Sequence, residues 1–461
     1  MDSNGILVIG MMLSFIVLLF TGYPIAFILG GVAMAFTLIG YCSDLWLGTI
    51  TGLDYMTIGI VVNRLYKVLY NWILIALPMF IFMGLMLDRS GIAEKMMIAM
   101  QGLFGKVRGG LAISVTVIGI LLAAATGIIG ASVVLLGLLS LPAMLKQGYA
   151  KPLAVGTVCA SGTLGILIPP SIMLVMMADQ LSLPVGDLFM GALIPGIILG
   201  LLYMIYILGY GFLRPQNAPL AEDQQELKFS AVWEVFKTIL PTGALILAVL
   251  GSIFIGVATP TEASGIGALG SIVLALTNKK LNFKIFKEVL QNTFNTTGYI
   301  FGILIGATCF ALVLRELGGD EFIAGLFSGL PFGPYGIITV ILGMVFLLGF
   351  FLDWIEITLI ILPILSPVIT RLGLDIPGFG TIGNPELVWF AILVAISLQT
   401  SFLTPPVGFA IFYLKGVSPP EIKLMDIYKG VIPFIILQLT GLFIVMMWPW
   451  LVTWLPSVAY G

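Results

Sequence analysis

Long apolar stretches alternate with short polar segments along the whole chain. Each stretch is close to the roughly 20 residues that an α-helix needs to cross the hydrocarbon core of a bilayer, or to twice that length. We therefore predict an all-α polytopic membrane protein. The stretches lie at 5–20, 24–41, 72–87, 109–145, 152–178, 187–213, 239–257, 261–276, 297–314, 333–369, 385–414 and 431–455.

Two of these stretches are interrupted by a proline pair among small polar residues. The first interruption is SGTLGILIPPS at 161–171, and the second is TSFLTPPVG at 400–408. Proline donates no backbone hydrogen bond, so a helix cannot continue unbroken through Pro-Pro. In lipid, such breaks persist only where the freed carbonyls are buried or line a cavity. Broken helices at matching places in two halves of a chain predict a transport site.

Two other stretches are long enough for a helical hairpin, at about 109–147 and 333–371. Basic residues flank the first one, Arg108 before it and Lys146 near its end. If both ends stay on the basic side of the membrane, the stretch is a re-entrant hairpin whose tip lies within the bilayer. The alternative is two ordinary spans joined by a glycine turn. The uncharged tip, TGIIGAS at 126–132, favours the hairpin.

The order of these elements occurs twice, which predicts two repeats. Pro24 and Pro170 are 146 residues apart, and so are Pro260 and Pro406. Each half then contains about five transmembrane helices, one hairpin and one broken helix, so an odd number of crossings inverts the second half. The predicted units are a first repeat at 1–213, a cytoplasmic linker at 214–236 and a second repeat at 237–461, with broken helices at about 152–178 and 385–414. Basic loops place one side in the cytoplasm.

Composition narrows the function. The chain is 60% hydrophobic and 9% charged, with a net charge of −2, so it offers no basic surface for nucleic acid. Histidine is absent and the three cysteines are isolated, which removes the usual general base and metal-ligand spacings. With no nucleophile–base pair visible, we expect a protein that is not an enzyme and has no cofactor.

The motifs resemble a known family. The stretch at 161–171, together with TPTEA at 259–263, LPAM at 141–144 with Gly148 and Tyr149, and TPPVG at 404–408, is similar to the large membrane subunit of tripartite ATP-independent periplasmic (TRAP) transporters. The resemblance covers essentially the whole chain. It implies a secondary transporter of the bacterial or archaeal cytoplasmic (inner) membrane, whose hairpins and broken helices move as an elevator.

The resemblance also implies partners and a coupling ion. A soluble periplasmic binding protein would deliver the substrate, a small four-helix membrane subunit would brace the chain in the lipid bilayer, and Na⁺ would drive uptake. One motif departs from the family: many members carry a serine-rich first hairpin tip, where this chain has Ile128 and Ile129. This variant, with Asp353 and Glu356 in the second hairpin, looks like a branch associated with small organic acids such as 2-oxo acids.

Sodium prefers several oxygen ligands, as other hard cations do. We expect one site between the first hairpin tip and the first break, and a second between the second hairpin tip and the second break. The alternative is that these small residues only permit close helix packing. The expected ligands are Thr126, Gly127, Ser132, Ser161, Gly162, Thr163 and Gly165 in the first site, and Thr400, Ser401, Thr404 and Gly408 in the second.

Carboxylates inside a membrane are costly and are therefore functional candidates. We expect Asp353, Glu356, Ser171 and Ser401 to line the substrate path, although an exposed tip or a helix cap would also explain the two carboxylates. We expect Glu262 to cap a helix rather than to take part in transport, because Thr259 and Pro260 before it form a helix-start pattern. No arginine lies within 109–147, 152–178, 333–369 or 385–414, so a carboxylate substrate would depend on amides, helix dipoles and bound sodium.

Two other functions fit the same pattern. A stand-alone sodium–carboxylate symporter of similar fold would need no binding protein. A non-transporting membrane assembly subunit would tolerate valine in place of Thr163 and Thr404, whereas a transport subunit would lose ion binding.

Overall fold

The computed structural model describes residues 3–104, 107–127, 129–220, 229–376, 378 and 384–460. Within these residues every regular element is helical, so the predicted all-α fold is confirmed. Nine helices of this part of the chain are long and apolar enough to cross a membrane.

The first half, up to residue 220, contains ten α-helices. They are α1 (Ser3–Leu19), α2 (Ile25–Leu47), α3 (Tyr55–Leu69), α4 (Ala76–Arg89, after a 3₁₀ turn at Trp72–Ile75), α5 (Ile92–Phe104), α6 (Gly110–Thr126), α7 (Ile129–Lys146), α8 (Lys151–Thr163, before a 3₁₀ turn at Leu164–Ile166), α9 (Ile172–Gln180) and α10 (Val185–Leu213, before a 3₁₀ turn at Pro215–Asn217).

The second half, from residue 229, contains eleven. They are α11 (Phe229–Phe254), α12 (Pro260–Thr277), α13 (Phe283–Glu316), α14 (Gly319–Ser328), α15 (Pro334–Leu348), α16 (Trp354–Glu356, continued by a π-helical turn at Ile357–Ile361), α17 (Leu362–Arg371), α18 (Pro385–Leu403), α19 (Phe409–Val417), α20 (Leu424–Met447) and α21 (Trp450–Tyr460).

The helices form two groups, which we call the central bundle and the outer bundle. The central bundle consists of α6–α10 and α15–α21. At its centre α8 packs against α6, α7 and α20, and α18 packs against α10, α15 and α20. The outer bundle consists of α1–α5 and α11–α14, in which α2 and α4 pack against α13 and α4 also packs against α12. The two helices that carry the proline pairs are the most deeply buried, because every residue at 153–163 and 387–403 is buried.

One helix start confirms the pattern expected from the sequence. The Thr259 Oγ1 accepts a hydrogen bond from the Glu262 N–H at 3.3 Å, and the Glu262 carboxylate accepts one from the Thr259 N–H at 2.8 Å. This reciprocal pair is a capping box, and Pro260 occupies the first helical position, where its missing N–H has no cost. Glu262 is thus a capping residue.

Three boundaries differ from those that the apolar pattern suggests. The span expected at 297–314 is part of the 34-residue α13, which begins where the Asn282 side chain caps the Ile285 N–H at 2.8 Å. The last span is divided between α20 and α21 at Pro449, which donates no backbone hydrogen bond. The predicted linker falls partly on residues 221–228, outside the described residues, and α11 already begins at Phe229.

Candidate functional site

The first hairpin, α6 and α7, closes on the first break. Gly127, at its tip, has φ +59°, and a Cβ placed there would lie 3.2 Å from the backbone nitrogen of Ile172. Ile172 is the first residue of α9, directly after the break. The hairpin tip therefore touches the point at which the broken helix resumes.

The hairpin arms pack closely along α8. A Cβ at Gly119 would lie 2.6 Å from the Ser161 Cβ, and a Cβ at Gly162 would lie 2.4 Å from a Val133 methyl. The Ser161 hydroxyl donates to the Thr116 Oγ1 at 3.3 Å. Gly119 and Gly162 thus allow helix backbones to approach as in other membrane bundles.

The first break exposes backbone carbonyls to new partners. Between α8 and α9 the chain passes through Pro169 and Pro170, joined by a cis peptide bond. Because prolines bring no N–H, the carbonyls of Gly165 and Ile166 lose their α-helical donors. The Ser171 hydroxyl donates to the Ile166 carbonyl at 2.6 Å. Ser171, expected on the substrate path, is buried and bonded within the break.

The second break is built in a similar way. Pro405 and Pro406 are also joined by a cis peptide bond, and Gly408, with φ +42°, leads into α19. The Thr404 hydroxyl donates to the carbonyl of Thr400 at 2.7 Å. Prolines at these positions remove the α-helical donors of the Ser401 and Phe402 carbonyls, of which Ser401 regains one from the Thr404 N–H at 3.0 Å.

The second hairpin, α15 to α17, closes on α18 through two serines. Ser401 donates to the carbonyl of Phe346 at 2.8 Å, and Ser397, one turn earlier, donates to that of Leu342 at 3.1 Å. A Cβ at Gly349 would lie 2.6 Å from the Ser401 Oγ. Ser401 therefore joins the second break to the second hairpin.

The structure brings the expected sodium ligands together in two groups. Gly127 and Ser132 belong to the first hairpin, which packs against the break that contains Ser161, Gly162, Thr163 and Gly165. Thr400, Ser401, Thr404 and Gly408 lie in and beside the second break. The Thr126 side chain and Ile128 lie outside the described residues, and Ile129 is buried. Hydroxyls that donate to helix carbonyls keep lone pairs on oxygen, so this donor set fits a hard cation.

Each hairpin also contacts the far half of the opposite broken helix, which the sequence did not predict. In the first hairpin, α7 packs against α19, and a Cβ at Gly130 would lie 3.1 Å from the Tyr413 ring. In the second, α17 and the π-helical turn pack against α9. The four elements therefore interlock around the centre of the bundle.

The two carboxylates bracket the short helix α16 at the tip of the second hairpin, since Asp353 precedes it and Glu356 is its last residue. Asp353 caps the helix by accepting from the Trp354 N–H at 2.8 Å. Glu356 is 1% exposed, and its Oε1 accepts a hydrogen bond from the Tyr299 hydroxyl of α13 at 3.2 Å. Its Oε2 has no hydrogen-bond partner among the described residues. Tyr299, which sequence reasoning missed, thus joins the outer bundle to the hairpin tip.

A second polar cluster, also missed from the sequence, lies between the two breaks. It consists of Thr163, Tyr203, Gln399 and Gln438, from α8, α10, α18 and α20, and all four side chains are 0% exposed. The Gln438 Nε2 donates to the Tyr203 Oη at 2.8 Å, and the Gln399 Nε2 donates to the same oxygen at 3.3 Å. The sequence indicates two of these residues only by their positions, because Thr163 and Gln399 each precede the second proline of their pair by seven residues.

Comparisons with known proteins agree with this architecture. Residues 12–451 match the family model of the tripartite ATP-independent periplasmic transporter, DctM component. The chain is 28% identical to the C4-dicarboxylate TRAP transporter large permease protein DctM of Vibrio cholerae, over 99% of this chain and 97% of that protein. It is 26% identical to the sialic acid TRAP transporter large permease protein SiaM of Vibrio cholerae, over 98% and 99%.

One further relative and one solved structure are also similar to this chain. The chain is 28% identical to the isethionate TRAP transporter permease protein DctMQ of Oleidesulfovibrio alaskensis, over 93% of this chain and 63% of that protein. The fold is similar to the crystal structure of the Alcanivorax borkumensis YdaH transporter, with a TM-score of 0.58 at 13% identity, over 86% of this chain and 90% of that one.

Proposed function

Because the chain belongs to the DctM family, the large membrane subunit of TRAP transporters, we propose that it carries a small organic acid into the cell, driven by sodium. It is a multi-pass protein of the inner membrane. Its relatives are transporter permeases rather than enzymes. The proposal goes further in naming the driving ion, the moving part and the substrate class.

One observation carries the proposal: two breaks in buried helices, each closed by its own hairpin. At each break the prolines remove the α-helical donors of two carbonyls in the buried centre of the bundle, and one carbonyl at each break regains a donor, from the Ser171 hydroxyl or the Thr404 N–H. Carbonyls and hydroxyls grouped in this way supply the oxygen donors that a hard cation needs. We assign one sodium ion to each break, held by the two groups of residues described above.

The central bundle is the part proposed to move. It contains both hairpins and both breaks, and its surface toward α1 is apolar. A groove of about 570 Å³ between α1 and the second hairpin is lined by residues such as Phe15, Leu19 and Leu348. Apolar contacts of this kind resist sliding less than a network of buried polar bonds does. Alternating access would then be a rigid movement of the central bundle against the outer one, as in an elevator.

The substrate is proposed to bind near the tip of the second hairpin, on a path that includes Asp353, Glu356, Ser171 and Ser401. The relatives above are named for C4-dicarboxylate, sialic acid and isethionate, which are all organic anions. An anion beside Asp353 and Glu356 requires compensating positive charge, and no arginine lies within 109–147, 333–369 or either break; the second hairpin carries one only at its far end, Arg371. Bound sodium supplies that charge, so filling of the cation sites precedes binding of the acid. Among small organic acids, we propose a 2-oxo acid or a similar carboxylate as the substrate.

Two partners are part of the proposal. The tripartite description of the family supports a soluble periplasmic binding protein and a small membrane subunit. The DctMQ relative, of which this chain covers 63%, is long enough to contain a second membrane component.

The test is uptake into liposomes that contain the chain and its small subunit, with the binding protein and labelled acid outside. An inward sodium gradient is expected to drive accumulation, and collapse of the gradient with a sodium ionophore is expected to stop it. Uptake that persists unchanged in sodium-free buffer contradicts the coupling. Uptake that needs sodium but no binding protein favours the stand-alone symporter. If the Thr404→Val variant leaves sodium-driven uptake at the wild-type rate, the result favours a non-transporting assembly subunit.

A further inference from the structure

The cluster of Thr163, Tyr203, Gln399 and Gln438 connects the two breaks directly. Thr163 is the last residue of α8, and Gln399 lies in the last turn of α18, beside Thr400 and Ser401. Any rearrangement of either break on ion binding therefore displaces a member of the cluster. The other two members belong to the helices that follow each broken helix, so each half of the chain contributes two of the four side chains.

The cluster has more acceptors than its present arrangement can satisfy. Thr163 donates its own proton to the Ala160 carbonyl at 2.8 Å, and its oxygen lies 3.4 Å from the amide nitrogens of both Gln399 and Gln438. Tyr203 likewise accepts from both amides. The amide oxygens of both glutamines have no hydrogen-bond partner among the described residues, although both side chains are 0% exposed.

Rotation of one amide relieves this shortage. If either glutamine turns its oxygen toward Tyr203, the tyrosine hydroxyl donates to that oxygen. The hydroxyl has a single proton, so it serves only one glutamine at a time. The cluster therefore has two arrangements, one in which Tyr203 donates to Gln399 and one in which it donates to Gln438.

A purely structural role does not account for this chemistry. Buried polar groups without partners are destabilising, whereas apolar side chains of the same shape cost little at such a position. An element with two arrangements, placed between two sites, is the physical requirement for coupling between them.

We propose that Gln399 and Gln438 are positioning residues that couple the two breaks, so that sodium bound at one break raises the affinity of the other. The proposal rests on the sodium-driven function above. The glutamines do not touch sodium. They transmit its binding through the single proton of Tyr203, whose ring stays fixed against Phe434 with centroids 5.3 Å apart.

The test measures the sodium dependence of initial uptake rates in the liposome system. The wild-type curve is expected to be sigmoidal, with a Hill coefficient approaching the number of sites, about 2. Gln399→Met, Gln438→Met and Tyr203→Phe keep the side-chain size and remove the hydrogen bonds. Each is expected to lower the Hill coefficient toward about 1 and to raise the half-saturating sodium concentration by roughly fivefold or more. The double glutamine variant is expected to equal the single ones, because one coupling is lost.

Thr157→Val is the matched control, since this buried threonine lies on the same helix as Thr163 and its hydroxyl has no hydrogen-bond partner among the described residues. It is expected to keep the wild-type Hill coefficient. If a variant transports too slowly to measure, the same comparison is made from the rise in melting temperature of the purified chain with sodium concentration. Variants with an unchanged Hill coefficient overturn the coupling alone, whereas sodium-independent uptake by the wild type overturns the proposed function itself.

Discussion

Replacement of Ser401 by alanine separates ion binding from helix packing. Ser401 and Ser397 are both buried on α18, one turn apart, and each donates to a carbonyl of α15, at 2.8 and 3.1 Å. Ser401→Ala and Ser397→Ala therefore remove equivalent bonds. Each change deletes one buried hydrogen bond, which contributes about 0.5–1.5 kcal/mol, so both are expected to lower the free energy of unfolding by similar amounts.

The two variants are expected to differ in sodium affinity. Ser401 lies in the second break and is proposed to contribute its oxygen to sodium, whereas Ser397 lies one turn outside it. Loss of one ligand that is worth about 1.4 kcal/mol raises the half-saturating sodium concentration roughly tenfold. We expect that rise for Ser401→Ala and a change of less than about twofold for Ser397→Ala.

The assay follows the melting temperature of the purified chain over a sodium titration, with potassium keeping the ionic strength constant. Binding to the folded state stabilises it by RT ln(1 + c/Kd) at sodium concentration c, so a fit of the rise in melting temperature to this relation gives Kd. The melting temperature without sodium reports the packing loss that both variants share. Equal fitted Kd values for the two variants would refute the assignment of Ser401 as a ligand and leave it a packing residue.

Three further changes test other parts of the account. Glu356→Gln replaces the buried carboxyl that accepts the Tyr299 hydrogen bond by an amide and is expected to slow uptake roughly tenfold, which corresponds to a loss of about 1.4 kcal/mol. Tyr299→Phe is then expected to cost less in the Glu356→Gln background than alone, as measured by uptake rates in a double-mutant cycle. Gly162→Ala places a Cβ 2.4 Å from a valine methyl of the first hairpin and is expected to cost about 1–3 kcal/mol in thermal unfolding, whereas Gly343→Ala, with nothing within 4 Å, is expected to be neutral. Thr259→Ala removes a helix cap, and we expect a loss of about 1 kcal/mol of stability with no change in sodium dependence.

The positions of the breaks were predictable because their cause is local. A proline pair removes backbone donors whatever surrounds it, so the sequence alone located both interruptions at 169–170 and 405–406. The capping of α12 by Thr259 and Glu262 is equally local, and it was predicted for the same reason.

Helix boundaries were less predictable where polar residues continue a helix. The sequence predicts a span that begins only at Thr297, and the segment before it is rich in asparagine, threonine and lysine. In the structure α13 runs through it without interruption, because no proline intervenes and those polar residues lie largely on an exposed face. Apolar length alone does not detect such a continuation.

Contacts between distant parts of the chain were not predictable from local pattern. Gln438 lies in an apolar helix, and only the folded structure shows that it shares Tyr203 with Gln399. The contact between Tyr299 and Glu356 joins residues 57 apart, and nothing in the spacing of either residue indicates it. The packing of each hairpin against the opposite broken helix was unpredictable for the same reason, because it depends on how the two halves of the chain meet.

Simultaneous uptake of radioactive sodium and labelled organic acid tests the central claim most directly. The assay uses liposomes with both membrane components and the binding protein, and it measures initial influx of each species at saturating concentrations. The account predicts that sodium enters only when the acid is present, with at least two ions for each molecule, one for each break. Influx of the acid without accompanying sodium would contradict it.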